Sequence, residues 1–326
     1  SSDLFISSCA LEPEQYLIKI AGPTQGTTYH VSYVANTDGL DLRQSIDSIL
    51  DVIDQSMSLW VPNSTISRIN KGDSIAVDDH FMAVLTKALA VSKASDGAFD
   101  ATISQLVNAW GFGPEGIAAI DSTKIDSLLT LTGYHRVKIN GSYVNMPLGM
   151  QLDFNAIAQG YTVDVLAAFL EAKHLHNYLV EVGGEVRTKG KNIASKKWTI
   201  GVDKPEEHLA EAAERYQIIV ALDSSSLATS GNYRKFWVDE LTGIKYAHTI
   251  NPKTGYPVKS RLLSVSIIAS DCISADAWAT ACMVVGLERA KEMINSMPEL
   301  EGYLVYSDFE GKMQVWQSAG FARYVP

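Results

Sequence analysis

Cysteine is scarce in this chain. The three present among 326 residues, Cys9, Cys272 and Cys282, do not make a disulfide framework. Clusters of Lys and Arg are missing too. With 27 basic against 37 acidic residues the net charge is −10, which removes nucleic acid from the expected partners. No apolar run approaches the roughly 20 residues that span a bilayer. The first residues, Ser1-Ser-Asp-Leu-Phe-Ile, lack the basic and long apolar regions of a secretion signal and would suit a mature end left by processing. There is no convincing internal repeat.

What is present suits a globular protein. The chain is 46% hydrophobic and 20% charged, enough for a sizeable core. Its length is about two average domains' worth.

Alternation and β-branched or aromatic content predict strands over Tyr16–Ile20, Thr27–Val34, Tyr178–Val182, Trp198–Val202, Tyr216–Leu222, Leu262–Ala269 and Tyr303–Tyr306, with another at residues 313–316. Gly22–Gly26 is expected to be a turn. A hairpin is expected around Asn140-Gly141. Helical spacing predicts helices over Leu40–Ser56, Phe81–Ser95, Leu106–Trp110 and Ile120–Leu131. Ser64 or Thr65 is expected to cap a short helix ending near Asn70.

Several stretches carry side chains that can do chemistry. In Ser270–Gly286, Ser274 is the expected helix cap, and Asp276 and Thr280 fall four residues apart on one face. A carboxylate and a hydroxyl so placed can hold a hard cation such as Mg²⁺. Equally, Asp276 can be a first-turn acid and Thr280 can bond back to its helix. In Leu152–Asp164, Asp153 is expected to end a strand and Asn155 to cap a helix with Ile157, Tyr161, Val165 and Phe169 as its apolar stripe. Ala156, Ala158 and Gly160 allow close approach to its first turns, for an anion or for tight packing. Asp100 and Thr102, in Asp96–Ser104, can bind a ligand or cap the next helix. Gly183-Gly184 can bring backbone close to a ligand or make a sharp turn. Ser226–Gly231 can bind phosphate or form an ordinary turn. Trp60 can stack on an aromatic ligand or pack into the core. His248, opening His248–Gly255, can serve as a base, a ligand contact or a structural residue.

In order along the chain, Gly26-Thr-Thr-Tyr29, Ser58–Asn70, Asp96–Thr102, Leu152–Asp164, Gly183-Gly184, Thr229-Ser-Gly231, His248–Gly255 and Ala275-Asp276 with Thr280 resemble the motifs of the FAD:protein FMN transferase family, the ApbE-type flavin transferases. The resemblance runs from about Gly26 to about Gly286. It departs at Gln159, where the family commonly has Lys, at Gln25, where Met often precedes the Gly-Thr pair, and at Trp60, where Tyr is usual.

The resemblance implies an α+β fold, one compact unit of mixed or mainly antiparallel sheets with packed helices. Residues 1–20 would be an N-terminal extension and 21–326 the transferase domain. It implies an enzyme that uses Mg²⁺ and transfers FMN from FAD to a Ser or Thr hydroxyl of an acceptor protein, releasing AMP. Ala156 (through its carbonyl), Asp276 and Thr280 would form the metal site. Gln25, Trp60, Ala98, Phe99, Asp100, Asp153, Gln159, Gly183, Gly184, Ser230, His248 and Thr249 would line the flavin and nucleotide site. His248 is the preferred base, with Asp276 the other candidate. The acceptor hydroxyl can attack directly, which agrees with the lack of a Ser/His/Asp or Cys/His constellation. An FAD pyrophosphatase giving FMN and AMP, and a flavin-binding protein without turnover, are the alternatives. The family's usual place is outside the cytoplasm, on the periplasmic side, often with a lipid on an N-terminal Cys. Such a Cys is absent here, so a membrane tether is left open.

Overall fold

Alternating burial along the strands sets the architecture in a computed structural model of the chain, which describes residues 14–114, 121–205, 216–231, 236–238 and 245–326. The described elements follow in chain order: β1 (Tyr16–Thr24), β2 (Thr27–Ala35), α1 (Arg43–Met57), α2 (Thr65–Asn70), α3 (Asp79–Ala94), α4 (Ser104–Ala109) and α5 (Ser122–Leu129). After them come β3 (Lys138–Asn140), β4 (Tyr143–Asn145), α6 (Ala158–Ala172), β5 (Tyr178–Val182), β6 (Glu185–Lys189), β7 (Trp198–Asp203), β8 (Tyr216–Leu222), β9 (Ser225–Gly231), β10 (Phe236–Val238) and β11 (Lys245–Ala247). The chain closes with β12 (Leu262–Ala269), α7 (Cys272–Val285), α8 (Leu287–Asn295), β13 (Glu301–Ser307) and β14 (Met313–Gln317).

Eight strands form one sheet in the order β1-β2-β5-β6-β9-β12-β13-β14. Every neighbouring pair is antiparallel. In β12 and β13 alternate residues point to opposite faces, as the two-residue pleat requires. Val265, Ile267 and Leu304 join a core beneath α3, α7 and α8. Ile268, Tyr303 and Val305 join a core on the other side with Val202 and Val220 of the β7–β8 pair. A third core fills the space between β1, β2, β5 and helices α1 and α6. The expected α+β class, mainly antiparallel with packed helices, holds.

Several local expectations are corrected. β1 continues through Gly22 and Pro23 to Thr24, so the turn is the pair Gln25-Gly26, with φ of 47° and 71°. That is the two-residue hairpin geometry whose twist suits the strands it joins. The expected boundary after residue 20 falls inside this strand. The small hairpin turns at Gly141-Ser142, one residue later than expected, because Asn140 pairs with Tyr143. Ser226–Gly231 is not a turn but most of β9, inside the main sheet. Asp153 does not end a strand. Gln151 makes a single bridge to Ile103, and the Asn70 side chain takes both hydrogen bonds of the Leu152 backbone.

Helix starts also move. Asp41 accepts the Arg43 N–H, and α1 begins at Arg43 rather than Leu40. Ser64 does cap α2, accepting from Ser67. Asn155 does not cap α6, since its own N–H goes to Asp153 Oδ1 and the helix starts at Ala158. The buried face of α6 is Gly160, Val163, Leu166, Ala167 and Leu170. Tyr161, Val165 and Phe169 of the expected stripe are only half-buried, while Ile157 is buried as expected. Helix α8 and strand β6 went unforeseen. In α8 the helical spacing of Leu287, Ala290, Met293 and Ile294 was there to be read.

Candidate active site

Helix α7 carries the central carboxylate. Asp271, not Ser274, caps it: its Oδ1 accepts the Ser274 N–H at 2.8 Å. The helix therefore opens at Cys272, and Asp276 lies in its second turn, not its first. Asp276 is only 6% exposed. Its Oδ2 accepts the Gly160 N–H of α6 at 2.9 Å, one of the donors that a helix start leaves without an intrahelical partner. Burial pushes the Asp276 carboxyl up to about 7, against the pull of that hydrogen bond.

Close approach of the two helices depends on Gly160. A Cβ there would lie 2.5 Å from the Cys272 carbonyl oxygen and 2.7 Å from Asp276 Cβ. Thr280, one turn beyond Asp276, does not bond back to its helix in the contacts seen. Its hydroxyl lies 3.1 Å from that of Ser230 on β9.

These residues suit a hard cation. They offer one buried carboxylate with a neighbouring hydroxyl, and a neutralising charge would relieve the burial cost of the anion. Among the described residues no group of three or more His, Cys, Asp and Glu side chains could hold a metal. A cation at Asp276 could draw ligands from hydroxyl, carbonyl, water or phosphate oxygens, as Mg²⁺ commonly does.

Gln159 and the paired glycines meet beside this centre. Gly183 and Gly184 turn between β5 and β6 with φ of 66° and 113°. A Cβ on Gly183 would come within 2.7 Å of Gln159 Nε2, so the Gln159 amide packs on that turn. The Gly183 N–H reaches the Thr28 carbonyl at 3.1 Å. Gln25, at the tip of the β1–β2 hairpin, donates from Nε2 to Thr162 Oγ1 at 2.8 Å. Hairpin tip, glycine turn and first turns of α6 are thereby joined.

A second group lies around the loop before α4. Asp100 is buried and does not cap α4. Its Oδ1 accepts from the Thr102 N–H and hydroxyl, and its Oδ2 accepts from the Tyr134 N–H. Thr102 in turn accepts the Gly133 N–H. Burial raises both Asp100 and Asp153 despite these and similar hydrogen bonds. The Asp153 N–H reaches the Ala101 carbonyl at 2.7 Å, and Ala98 and Phe99 are core residues next door. The loop that begins at His248 packs against this region. Lys253 pairs with Asp96 at 2.6 Å, and Trp110 Nε1 donates to the Gly255 carbonyl at 2.7 Å. Thr249 is buried, with its carbonyl accepting the Val258 N–H. The His248 ring meets Phe112 edge-on, with ring centres 6.3 Å apart. Trp60 is 60% exposed, which removes it from the core and leaves its face open. Cys9 lies outside the described residues. Cys282 is buried, as a small apolar residue would be.

A model of the ApbE family matches residues 25–304. The chain belongs to the ApbE family. It is 33% identical over 311 residues to a FAD:protein FMN transferase of Vibrio cholerae serotype O1, covering 92% of this chain and 91% of the relative. It is 31% identical over 342 residues to the FAD:protein FMN transferase of Escherichia coli K12, covering 99% and 95%. The fold is similar to that of flavin transferase ApbE from Vibrio cholerae, with TM-score 0.85 and 30% identity over 96% of this chain and 100% of that one. It is equally similar to the apo flavinyl transferase ApbE of Pseudomonas stutzeri, with TM-score 0.85 and 31% identity over 96% and 98%. The ApbE match thus takes in both groups of residues described above.

Sequence reasoning passed over Asp164 and Arg187, which brace α6 against its neighbours. The available signal was spacing: Asp164 stands one helical turn beyond Gly160 on the same face.

Proposed function

We propose that this protein is an enzyme that transfers FMN from FAD to an acceptor protein. ApbE membership and the names of the relatives support this reading. The observation that carries the chemistry is the buried Asp276 carboxylate, held by the Gly160 N–H beside the Thr280 hydroxyl. Asp276, Thr280 and the Ala156 carbonyl would hold Mg²⁺ there, and the bound cation would supply positive charge for the pyrophosphate. Gln25, Ala98, Phe99, Asp100, Asp153, Gln159, Gly183, Gly184, Ser230 and Thr249 form the walls of the FAD site. Trp60 offers an exposed ring for stacking.

The acceptor is a Ser or Thr hydroxyl. His248 takes its proton as the oxygen attacks the phosphorus on the FMN side of the pyrophosphate. One O–P bond forms, the bridging P–O bond breaks, and AMP leaves with the electron pair. We place the protein on the extracytoplasmic side of the membrane, the side that the family resemblance implies. Cell fractionation tests that placement.

The reaction is tested by incubating the protein with FAD, Mg²⁺ and an acceptor, then weighing the acceptor and analysing the nucleotides. Covalent FMN on a Ser or Thr with AMP released supports the reading. Free FMN with AMP and an unmodified acceptor would make it a hydrolase, and unchanged FAD a carrier.

A further inference from the structure

Helices α6 and α7 cap each other. Asp276 of α7 accepts the Gly160 N–H in the first turn of α6. In return Asp164 of α6 accepts two N–H groups in the first turn of α7, Cys272 at 3.0 Å to Oδ1 and Ile273 at 2.9 Å to Oδ2. Gly160 and Asp164 are four residues apart, so both contacts lie on one face of α6. Arg187 of β6 holds Asp164 Oδ1 at 2.5 Å, which ties the pair of helices to the sheet. The third N–H of α7, from Ser274, goes to Asp271. Both oxygens of Asp164 are thus committed to the start of the helix that carries Asp276.

We propose that Asp164, braced by Arg187, is a positioning residue for the metal site: by fixing the start of α7 it holds the Asp276 carboxylate where a divalent cation can be bound. This rests on the reading of Asp276 as a metal ligand. One oxygen of Asp276 is held by the Gly160 N–H, so its other oxygen is aimed by the relative placement of two helices. A shift of α7 along α6 would break that aim without removing any ligand. Asp164→Asn keeps the size of the side chain but replaces one acceptor with an amide that faces a backbone N–H.

The test is Mn²⁺ binding to the full chain, followed by electron paramagnetic resonance with FAD present and no acceptor. Asp164→Asn should weaken Mn²⁺ binding by about tenfold or more, the range seen when a group that orients a metal ligand is lost. FAD binding without metal should change less than about twofold. Arg187→Gln, which leaves the carboxylate in place, should give a smaller change of the same sign. It carries the test if Asp164→Asn does not fold. Phe321→Ala, in the core on the opposite face of the sheet, should lower thermal stability and leave Mn²⁺ affinity alone. Wild-type Mn²⁺ affinity in Asp164→Asn, or an equal loss in Phe321→Ala, would overturn the proposal. If Asp276→Asn itself bound Mn²⁺ like the wild type, the metal reading would fall and the proposal with it.

Discussion

At the scale of single residues, His248 and Gly160 make opposite kinds of claim. His248 is read as the base, so His248→Asn should slow transfer by about 100-fold or more, the low end of what general bases contribute. FAD affinity should change far less, because the proton moves only during attack. Parallel losses in FAD affinity and transfer rate would make His248 a binding residue instead. Gly160 makes its claim through space. Gly160→Ala would force its new methyl against the Cys272 carbonyl and Asp276 Cβ, neither of which is the free end of a flexible chain. It should cost about 1–3 kcal/mol, the usual range for overpacking, and thermal melts will measure it. Unchanged melting would mean that α6 and α7 can part at no cost. The sequence displayed Gly160 as one small residue among several, and spacing could not say which of them met a helix from over a hundred residues away. Asp276 and Thr280 were easier to read, because their four-residue separation holds within one helix. The partner of Thr280 was not, since Ser230 reaches it only through the sheet.

At the scale of elements, caps decide where helices begin. Asp78 is the cap of α3, accepting the Phe81 N–H at 2.9 Å and the hydroxyls of Ser56 and Thr65 at 2.7 Å each. Three elements, α1, α2 and α3, are joined at that carboxylate. Half-burial by itself would raise the group, but these hydrogen bonds outweigh it and hold it below its ordinary value. A carboxyl lowered on folding adds stability above its unfolded value and loses it as pH falls through the folded one. Asp78→Ala should therefore cost about 1–2 kcal/mol at pH 7, as lost caps do. The gap from wild type should close as the pH drops below about 4, the ordinary range for Asp. Urea titrations at several pH values will show it, and a gap that stays constant down to pH 2 would rule out the ionised cap. Competition between neighbouring cap residues explains the misplaced start of α7, whereas α6 starts at Ala158 with no side-chain cap on Ile157 before it. Asn155 and Ser274 are both residue types that favour a cap. In each case an Asp two or three residues earlier accepts their N–H instead, and nothing in the residue types ranks one candidate over the other.

At the scale of the whole molecule, several strand cores were legible from their runs of β-branched, aromatic and other apolar residues. Tyr178–Val182, Tyr216–Leu222 and Leu262–Ala269 came out with their observed limits, and each is bounded by turn residues or a change in polarity. The N-terminal edge was not so clear, because Gly22 and Pro23 read as a break. The sheet tolerates them there: Pro23 has no N–H to offer, and an edge strand needs only one bonded side. A Cβ on Gly22 would lie 2.8 Å from the Tyr29 ring, so strand and ring lie close together at this point. The nine-residue pairing of β1 with β2 covers the fully buried Tyr29, Val31 and Tyr33, and Ile20 adds its own side chain to that core. A chain beginning at residue 21 would lose Ile18, Ile20 and more than half of the pairing. It would also turn part of β2 into an open edge able to recruit a second chain. Against a chain beginning at residue 14, it should be less stable by about 3 kcal/mol, the upper value for burying one large aliphatic side chain. It should also aggregate at lower concentration. Urea midpoints and light scattering on the two chains will decide this. Equal midpoints would show that the sheet stands without the first half of β1, and that residues 16–20 are an extension after all.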